Sequence, residues 1–397
     1  MAGIRQHHSY SEKNDYNQKR FGREIGAHDF DINLQRLESV DCPRFSRPEE
    51  VTTFSVIPKS SADTADSSNE SLHKYGTNGC CARTLSSNSH VNRRDISLPK
   101  SLSSLKFDLN VGYGKQVEKD RDNEFLNLLL MSLDRANLVG KSEFACWRGL
   151  FTKLAASPYD AAGRFDDGLK VVAQKVGGVI YLYEFPTEEF EEKQKVLDDR
   201  NKAMQYWGMK FESYVTAKRG ENPVTDEPMD FNYEYGSVVR AKLGSHSLVF
   251  GGEIDCAWPQ HPTQYIELKT SRECSHAGQE RSFRKFKLLK WWLQSFLIGI
   301  EDILCGFRDD NGIVRSCEWY KVSEIPKIIK QDRDTWRPSA CLAFLNQFLD
   351  FIRSSVTEEL VPHVFARLAN QKTFHLIVDK DGIHKFLPSW FIEKYTA

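Results

Sequence analysis

Two short stretches carry residues that could do chemistry together: Gly251-Gly252-Glu253-Ile254-Asp255-Cys256 and, shortly after it, Tyr265-Ile266-Glu267-Leu268-Lys269-Thr270-Ser271. Residues two apart on a strand point to the same face, so Glu253 projects with Asp255 and Glu267 with Lys269. If the two strands are neighbours, three carboxylates and one ammonium share a patch. Uncompensated carboxylates in close quarters repel one another, and burial makes this worse. A divalent cation resolves the conflict, and hard oxygen ligands suit Mg²⁺ or Mn²⁺. A lysine beside a metal-bound water orients or activates the nucleophile, or counters charge developing on a phosphate. Glu212 offers a fourth acid. It follows Phe211 on a helix predicted over 188–216, whose apolar positions Met204, Trp207, Phe211 and Tyr214 step by three or four. It therefore sits at the edge of the apolar stripe, where it can overlook the sheet. Two metals held by Glu212, Glu253, Asp255 and Glu267 would stabilise the attacking and leaving oxygens of an in-line phosphoryl displacement.

Either strand fragment alone is better read as a solvated strand face, since exposed Glu and Lys on strands are common. The order is more telling: a helical Glu, an E-x-D strand, an E-x-K strand, then a basic helix. That last helix is predicted from Gln279 to Ile300, with Arg281, Arg284, Lys285, Lys287 and Lys290 crowding its first half. Lys287, Lys290 and Gln294 fall at i, i+3 and i+7 and share a face, while Phe286, Leu289, Leu293 and Phe296 form an apolar one. By itself this describes an ordinary amphipathic surface helix equally well. Beside a metal site, the basic face ending in Gln294 is placed to hold phosphates.

The elements needed to position these residues are legible as an α+β pattern, helices against a mixed, mostly antiparallel sheet. Strands are expected at 51–57, 168–185 with a break at Gly177-Gly178, 237–243, 247–255, 264–270, and as a hairpin at 303–307 and 313–320 around Asp309-Asp310-Asn311-Gly312. A final strand pair is expected at 373–378 and 383–387. Helices are expected at 124–133 and, capped by Ser339, through Ile352. Residues 1–35 are polar and read as loosely ordered, ahead of one domain over 36–397. That domain is interrupted at 59–104 by a Ser-, Asn- and Thr-rich stretch whose composition cannot offset its ordering entropy, so disorder is expected there.

The formal net charge of −1 excludes a strongly basic whole chain, but not a local basic channel for a phosphate backbone. Nine cysteines without a CxxC pair read as reduced intracellular thiols. A zinc site from His261, Cys274 and His276 is a weaker account of those residues than loop positions near a strand end. The N-terminal segment MAGIRQHHSYSEKND has no apolar core of a signal peptide, and the greasiest stretch, Trp291 to Ile300, is too short to span a bilayer. No membrane association is expected.

Taken in order, Trp147-Arg148-Gly149, GMKFES (208–213), LGSH (243–246), GGEIDC, IELKTS, WWLQSFL (291–297) and GFRDDNG (306–312) resemble the motifs of the DXO-type decapping exoribonuclease family, within the PD-(D/E)XK nuclease superfamily. The resemblance covers roughly residue 43 to the C-terminus. It implies a PD-(D/E)XK nuclease-like core in a single domain. It implies that Glu212, Glu253, Asp255, Glu267 and the backbone carbonyl of Leu268 bind two divalent ions, Mg²⁺ or Mn²⁺. It implies that Lys269 and Gln294 act at the scissile phosphate or its water, and that Trp147, Arg148, Gly149 and Arg47 contact RNA. The implied activity is removal of incomplete or non-standard 5′ caps, NAD caps included, and of 5′ triphosphates, followed in many members by 5′-to-3′ decay, as nuclear (also cytoplasmic) RNA quality control. The implied partners are RNA 5′ ends and, for some members, a 5′-3′ exoribonuclease; the chain is expected to be a monomer. Two departures stand out: the long 59–104 stretch, and Met209 where an aromatic is usual. A catalytically silent scaffold that binds RNA ends or an exonuclease is the main rival, and the intact acids and Lys269 argue against it. A DNA-directed PD-(D/E)XK enzyme is the other, opposed by the Trp-Arg-Gly motif.

Overall fold

A computed structural model describes residues 29–59, 83–99, 102, 105–119, 124–161, 163, 166–332 and 335–396. Strands are numbered in chain order. The larger sheet takes β1 (Asp29–Asp31), β2 (Glu49–Pro58), β3 (Arg83–Leu85), β6 (Phe144–Trp147), β7 (Leu169–Val176), β8 (Val179–Phe185), β10 (Glu234–Leu243), β11 (His246–Glu253), β16 (His363–Arg367) and β17 (Thr373–Val378). The smaller takes β4 (Asp95–Ile96), β5 (Phe107–Asp108), β9 (Thr216–Ala217), β12 (Cys256–Trp258), β13 (His261–Arg272), β14 (Asp302–Arg308) and β15 (Ile313–Lys321). Their orders are β1-β17-β16-β7-β8-β6-β11-β10-β2-β3 and β5-β15-β14-β13-β12-β4-β9. Most pairings are antiparallel; β6 with β8 and β11, β13 with β14, and β12 with β4 are parallel. This is the mixed α+β class expected from the pattern of elements.

One core lies where the Arg148–Asp160, Leu288–Ile298 and Pro338–Ser355 helices cover one face of the larger sheet. Phe344 and Phe348 are fully buried there, each worth roughly 1.5–3 kcal/mol of transfer free energy. A second core under the Asn127–Arg135 helix covers the opposite face, and a third lies between the Asp199–Val215 helix and the smaller sheet. No described helix is long and apolar enough to cross a membrane.

Several expectations need correction. The helix expected over 188–216 is two, Glu188–Lys195 and Asp199–Val215, because the Asp198 side chain accepts the Asn201 N–H at 2.7 Å and starts a new helix. The segment 383–387 does not pair with β17, whose partners are β16 and β1. Instead, Asp379 accepts the N–H groups of Ile383 and His384 at 3.1 and 2.7 Å, and a Ser389–Thr396 helix follows. Ordered structure reaches further toward the N-terminus than expected, through β1 and a Leu34–Ser39 helix. The largest correction concerns 59–104. Residues 60–82 lie outside the described residues, but 83–99 contribute β3 to one sheet and β4 to the other. Composition hides this because few residues do the fixing: Arg83 is buried in ion pairs with Glu124 (2.6 Å) and Glu234 (3.2 Å), and Leu85 and Ile96 are buried.

Candidate active site

The E-x-D and E-x-K segments are not neighbouring strands of one sheet, as the simplest reading supposes. Glu253 ends β11 in the larger sheet, Ile254 and Asp255 cross over, and Cys256 opens β12 in the smaller. The chemistry gathers at this seam. β12 pairs with β13 only as far as the Cys256–Ile266 register, so beyond Ile266 that edge of β13 is open. Asp255 occupies it, its Oδ2 accepting the Leu268 N–H at 2.6 Å. The N–H and C=O of one strand residue point to the same side, so the Leu268 carbonyl lies on the same open edge.

Glu267 is buried and held from three directions: Lys269 Nζ at 2.5 Å and Gln294 Nε2 at 2.6 Å on Oε1, and Arg148 Nη1 at 3.3 Å on Oε2. These donors come from β13, from the Leu288–Ile298 helix and from the first residue of the Arg148–Asp160 helix. Parallel pairing of β6 with β11 sets Trp147 opposite Gly251, which delivers Trp147 and Arg148 to the seam. The two glycines permit that approach. A Cβ on Gly251 would lie 2.8 Å from the Trp147 ring, and one on Gly252 would lie 3.0 Å from Arg148 Nε. Around Gly149 a Cβ would meet nothing, so the helix start is open above that residue.

Glu212 reaches the acids from the Asp199–Val215 helix, which Phe211 anchors over Gly306 of β14. It sits in the last turn, where the helix dipole is negative and no basic side chain compensates. Its carboxyl is pushed well above the usual range by burial, then by Asp255 and Glu253, against the opposing pull of Arg94 and Lys269. Burial first, then Glu267 and Glu253, lift Asp255 to about 7, against Lys269 and the Leu268 N–H. Burial alone would raise Glu267, but Lys269 and Arg148 outweigh it and hold this carboxyl below its ordinary value. Burial disfavours the Lys269 ammonium, yet Glu267 and Asp255 keep it charged. The adjacent Cys256 thiol is pushed far up by burial and by these acids, so it stays neutral.

As they stand, no three His, Cys, Asp or Glu side chains among the described residues are close enough to hold a metal. Glu267 is turned onto its three donors, and Glu253 leans toward Lys119, 3.9 Å away. The donor set nevertheless fits a hard divalent cation: Glu212 and Asp255 carry repulsion that Arg94 and Lys269 offset only in part, and a carbonyl edge is open beside them.

The other expected residues divide. Trp147 borders a cavity of about 280 Å³ beside Glu253, lined also by Phe54, Tyr235, Arg83 and Lys119. Arg47 is exposed and pairs with Glu301 at 3.4 Å rather than with any of the acids. The basic helix is not one face. A π-helical turn at Phe283–Lys287 puts Arg281 and Arg284 out of phase with Lys290 and Gln294, and beyond it the side chains part by what they meet. Lys287 points to Ser271 of β13 at 3.0 Å, Lys290 to Asp160 at 3.1 Å, and Arg284 is engaged by Asp332. A zinc site is excluded by distance, since His261 begins β13 and Cys274 and His276 lie past its far end, roughly 36 Å along a strand. Sequence reasoning missed Arg83, Arg94 and Lys119. The Arg93-Arg94 pair, unusual within a Ser/Asn-rich stretch, was the available signal for one of them.

An E-x-K strand in a mixed sheet, met by acids from a crossover and a flanking helix, defines a nuclease of the PD-(D/E)XK type. The chain belongs to the RAI1-like PD-(D/E)XK nuclease family, whose model matches residues 46–392, and is accordingly a hydrolase. It is 35% identical over 308 residues to the human decapping and exoribonuclease protein, covering 73% of this chain and 76% of that relative. Among solved structures it resembles S. pombe Rai1 in complex with 3′-FADP (26% identity, TM-score 0.65, 88% of this chain and 99% of that one). It shares the fold of Candida albicans Rai1 in complex with pU5 and Mn²⁺ (21% identity, TM-score 0.71, 92% and 98% covered).

Proposed function

We propose that this nuclease hydrolyses phosphodiester and pyrophosphate bonds at the 5′ ends of RNA, removing incomplete or non-standard caps and triphosphates before 5′-to-3′ decay. The observation that carries the reading is the buried Glu267, clamped by Lys269, Gln294 and Arg148 next to Glu212 and Asp255, whose mutual repulsion is only partly offset. Names and bound molecules of relatives support the substrate class: a decapping exoribonuclease at 35% identity, and a 3′-FADP complex at 26%.

Glu212, Glu253, Asp255, Glu267 and the Leu268 carbonyl would hold two divalent ions, Mg²⁺ or Mn²⁺, which supply Lewis-acid stabilisation of the attacking and leaving oxygens. The chain's own residues do the rest. Lys269 would free the Glu267 oxygen it now holds to serve as a ligand and direct its ammonium to the attacking water or a non-bridging phosphate oxygen. Gln294 does the same as a neutral donor. Arg148 and the open helix start at Gly149 grip the adjoining phosphate, while Trp147 stacks against a base in the neighbouring cavity. The reading carries with it, from the resemblance, monomeric action in the nucleus, with an exoribonuclease as an optional partner.

The test is a panel of RNAs bearing triphosphate, monophosphate, unmethylated cap, methylated cap and NAD cap, incubated with Mg²⁺ or Mn²⁺ and resolved by product. Cleavage at the 5′ end of at least one cap class is expected. Tight binding without turnover on the whole panel would favour the scaffold instead.

A further inference from the structure

Behind Glu253 lies a set of buried charges that the site described above does not use. Arg83 is almost wholly buried, its Nη2 2.6 and 2.7 Å from the two Glu124 oxygens and its Nη1 3.2 Å from Glu234. Glu234, on β10 beside the seam, is also in contact with the Lys119 ammonium. Lys119 is itself only 10% exposed and lies 3.9 Å from Glu253 Oε2, whose side chain is 42% exposed. Arg83 and Lys119 together balance Glu124 and Glu234. The four groups form a self-neutralised block, and Glu253 is the extra charge at its edge. All five residues line the cavity beside the site.

We propose that Lys119 is a positioning residue for Glu253, held in place by the Arg83–Glu124–Glu234 block. The inference rests on the reading of Glu253 as a metal-holding acid. A half-exposed glutamate samples several rotamers, and fixing it costs side-chain entropy. A buried ammonium that Glu234 retains attracts one Glu253 oxygen and leaves the other available as a ligand. The lysine also offsets the repulsion among those acids without occupying the cation's place. The arrangement gives the Ser/Asn-rich stretch and the segment after it a role: the first supplies Arg83 from β3 and the second supplies Lys119.

The test compares Lys119→Gln, Lys119→Arg, Glu234→Gln and Glu253→Gln in the full chain. Two quantities are read: direct Mn²⁺ binding by electron paramagnetic resonance, and the Mn²⁺ dependence of turnover on a triphosphate RNA. Lys119→Gln should raise the half-saturating Mn²⁺ at least fivefold and lower kcat about tenfold, with the KM for RNA within twofold. Lys119→Arg should recover most of both. Glu234→Gln should resemble Lys119→Gln in milder form, and it keeps the test open if that variant does not fold. Parental Mn²⁺ affinity and kcat in Lys119→Gln, alongside lost Mn²⁺ binding in Glu253→Gln, would overturn the positioning role alone. A raised KM with unchanged Mn²⁺ dependence would overturn it in favour of direct substrate contact. Unchanged Mn²⁺ binding in Glu253→Gln would instead remove the metal assignment beneath it.

Discussion

Raising the pH should destabilise the metal-free protein, and Asp255 sets much of the size. Its carboxyl is lifted from an ordinary 3.8 to about 7 by burial, then by Glu267 and Glu253. In the unfolded chain it titrates near its ordinary value. Between those two values the folded state binds more protons than the unfolded one, so stability falls as pH rises and the loss is complete above about 7. At 1.36 kcal/mol per pH unit the ceiling is about 4 kcal/mol. Asp255 is only half-buried, and solvent screening brings the expected loss to roughly 1–2 kcal/mol. Glu212 adds to it in the same direction. Asp255→Asn removes the titration, while an amide oxygen there still accepts the Leu268 N–H. The variant should therefore be the more stable protein at pH 8 in chelator, match the parent near pH 4, and be inactive. Mn²⁺ should restore the parent at pH 8 and do far less for the variant. Urea denaturation at pH 4 and pH 8, with chelator and then with Mn²⁺, measures all of this. Identical pH slopes in parent and variant would refute the claim that these acids repel one another in the folded state.

Three further outcomes follow from the same geometry. Glu253→Ala with Asp255→Ala should abolish hydrolysis while the protein still unfolds cooperatively; retained turnover would remove the metal assignment. Deleting 62–80 should leave activity within a few-fold, whereas Arg83→Met should cost roughly 3–5 kcal/mol in urea denaturation, because it strands the buried Glu124 and leaves Glu234 to Lys119 alone. In salt titrations of RNA binding, Lys287→Gln should reduce the log–log slope by about 0.7. Lys290→Gln, whose ammonium is engaged by Asp160, should leave that slope unchanged, and equal effects would restore a single basic face.

Local pattern was enough to single out candidate site residues and the helix and strand that carry them. Glu212 at the edge of an apolar stripe, Glu267 and Lys269 two apart on a strand, and Gln294 on a following helix are local patterns, and a period of 2 or 3.6 is written along the chain. The hairpin around Asp309–Gly312 and the Phe344–Phe348 helix were legible for the same reason. What only the tertiary structure decided is everything that depends on which strands pair. That Asp255 sits in a crossover between two sheets, capping the open edge of β13, follows from β11 and β12 joining different sheets. That Lys287 and Lys290 diverge follows from what each meets, Ser271 on β13 for one and Asp160 on a neighbouring helix for the other, which no i, i+3 count anticipates. The ordering of 83–99 was invisible because composition averages over a window, while two ion pairs on Arg83 and a few strand bonds act at single positions. Periodicity records which face a residue shows, but only the folded chain records what stands opposite it.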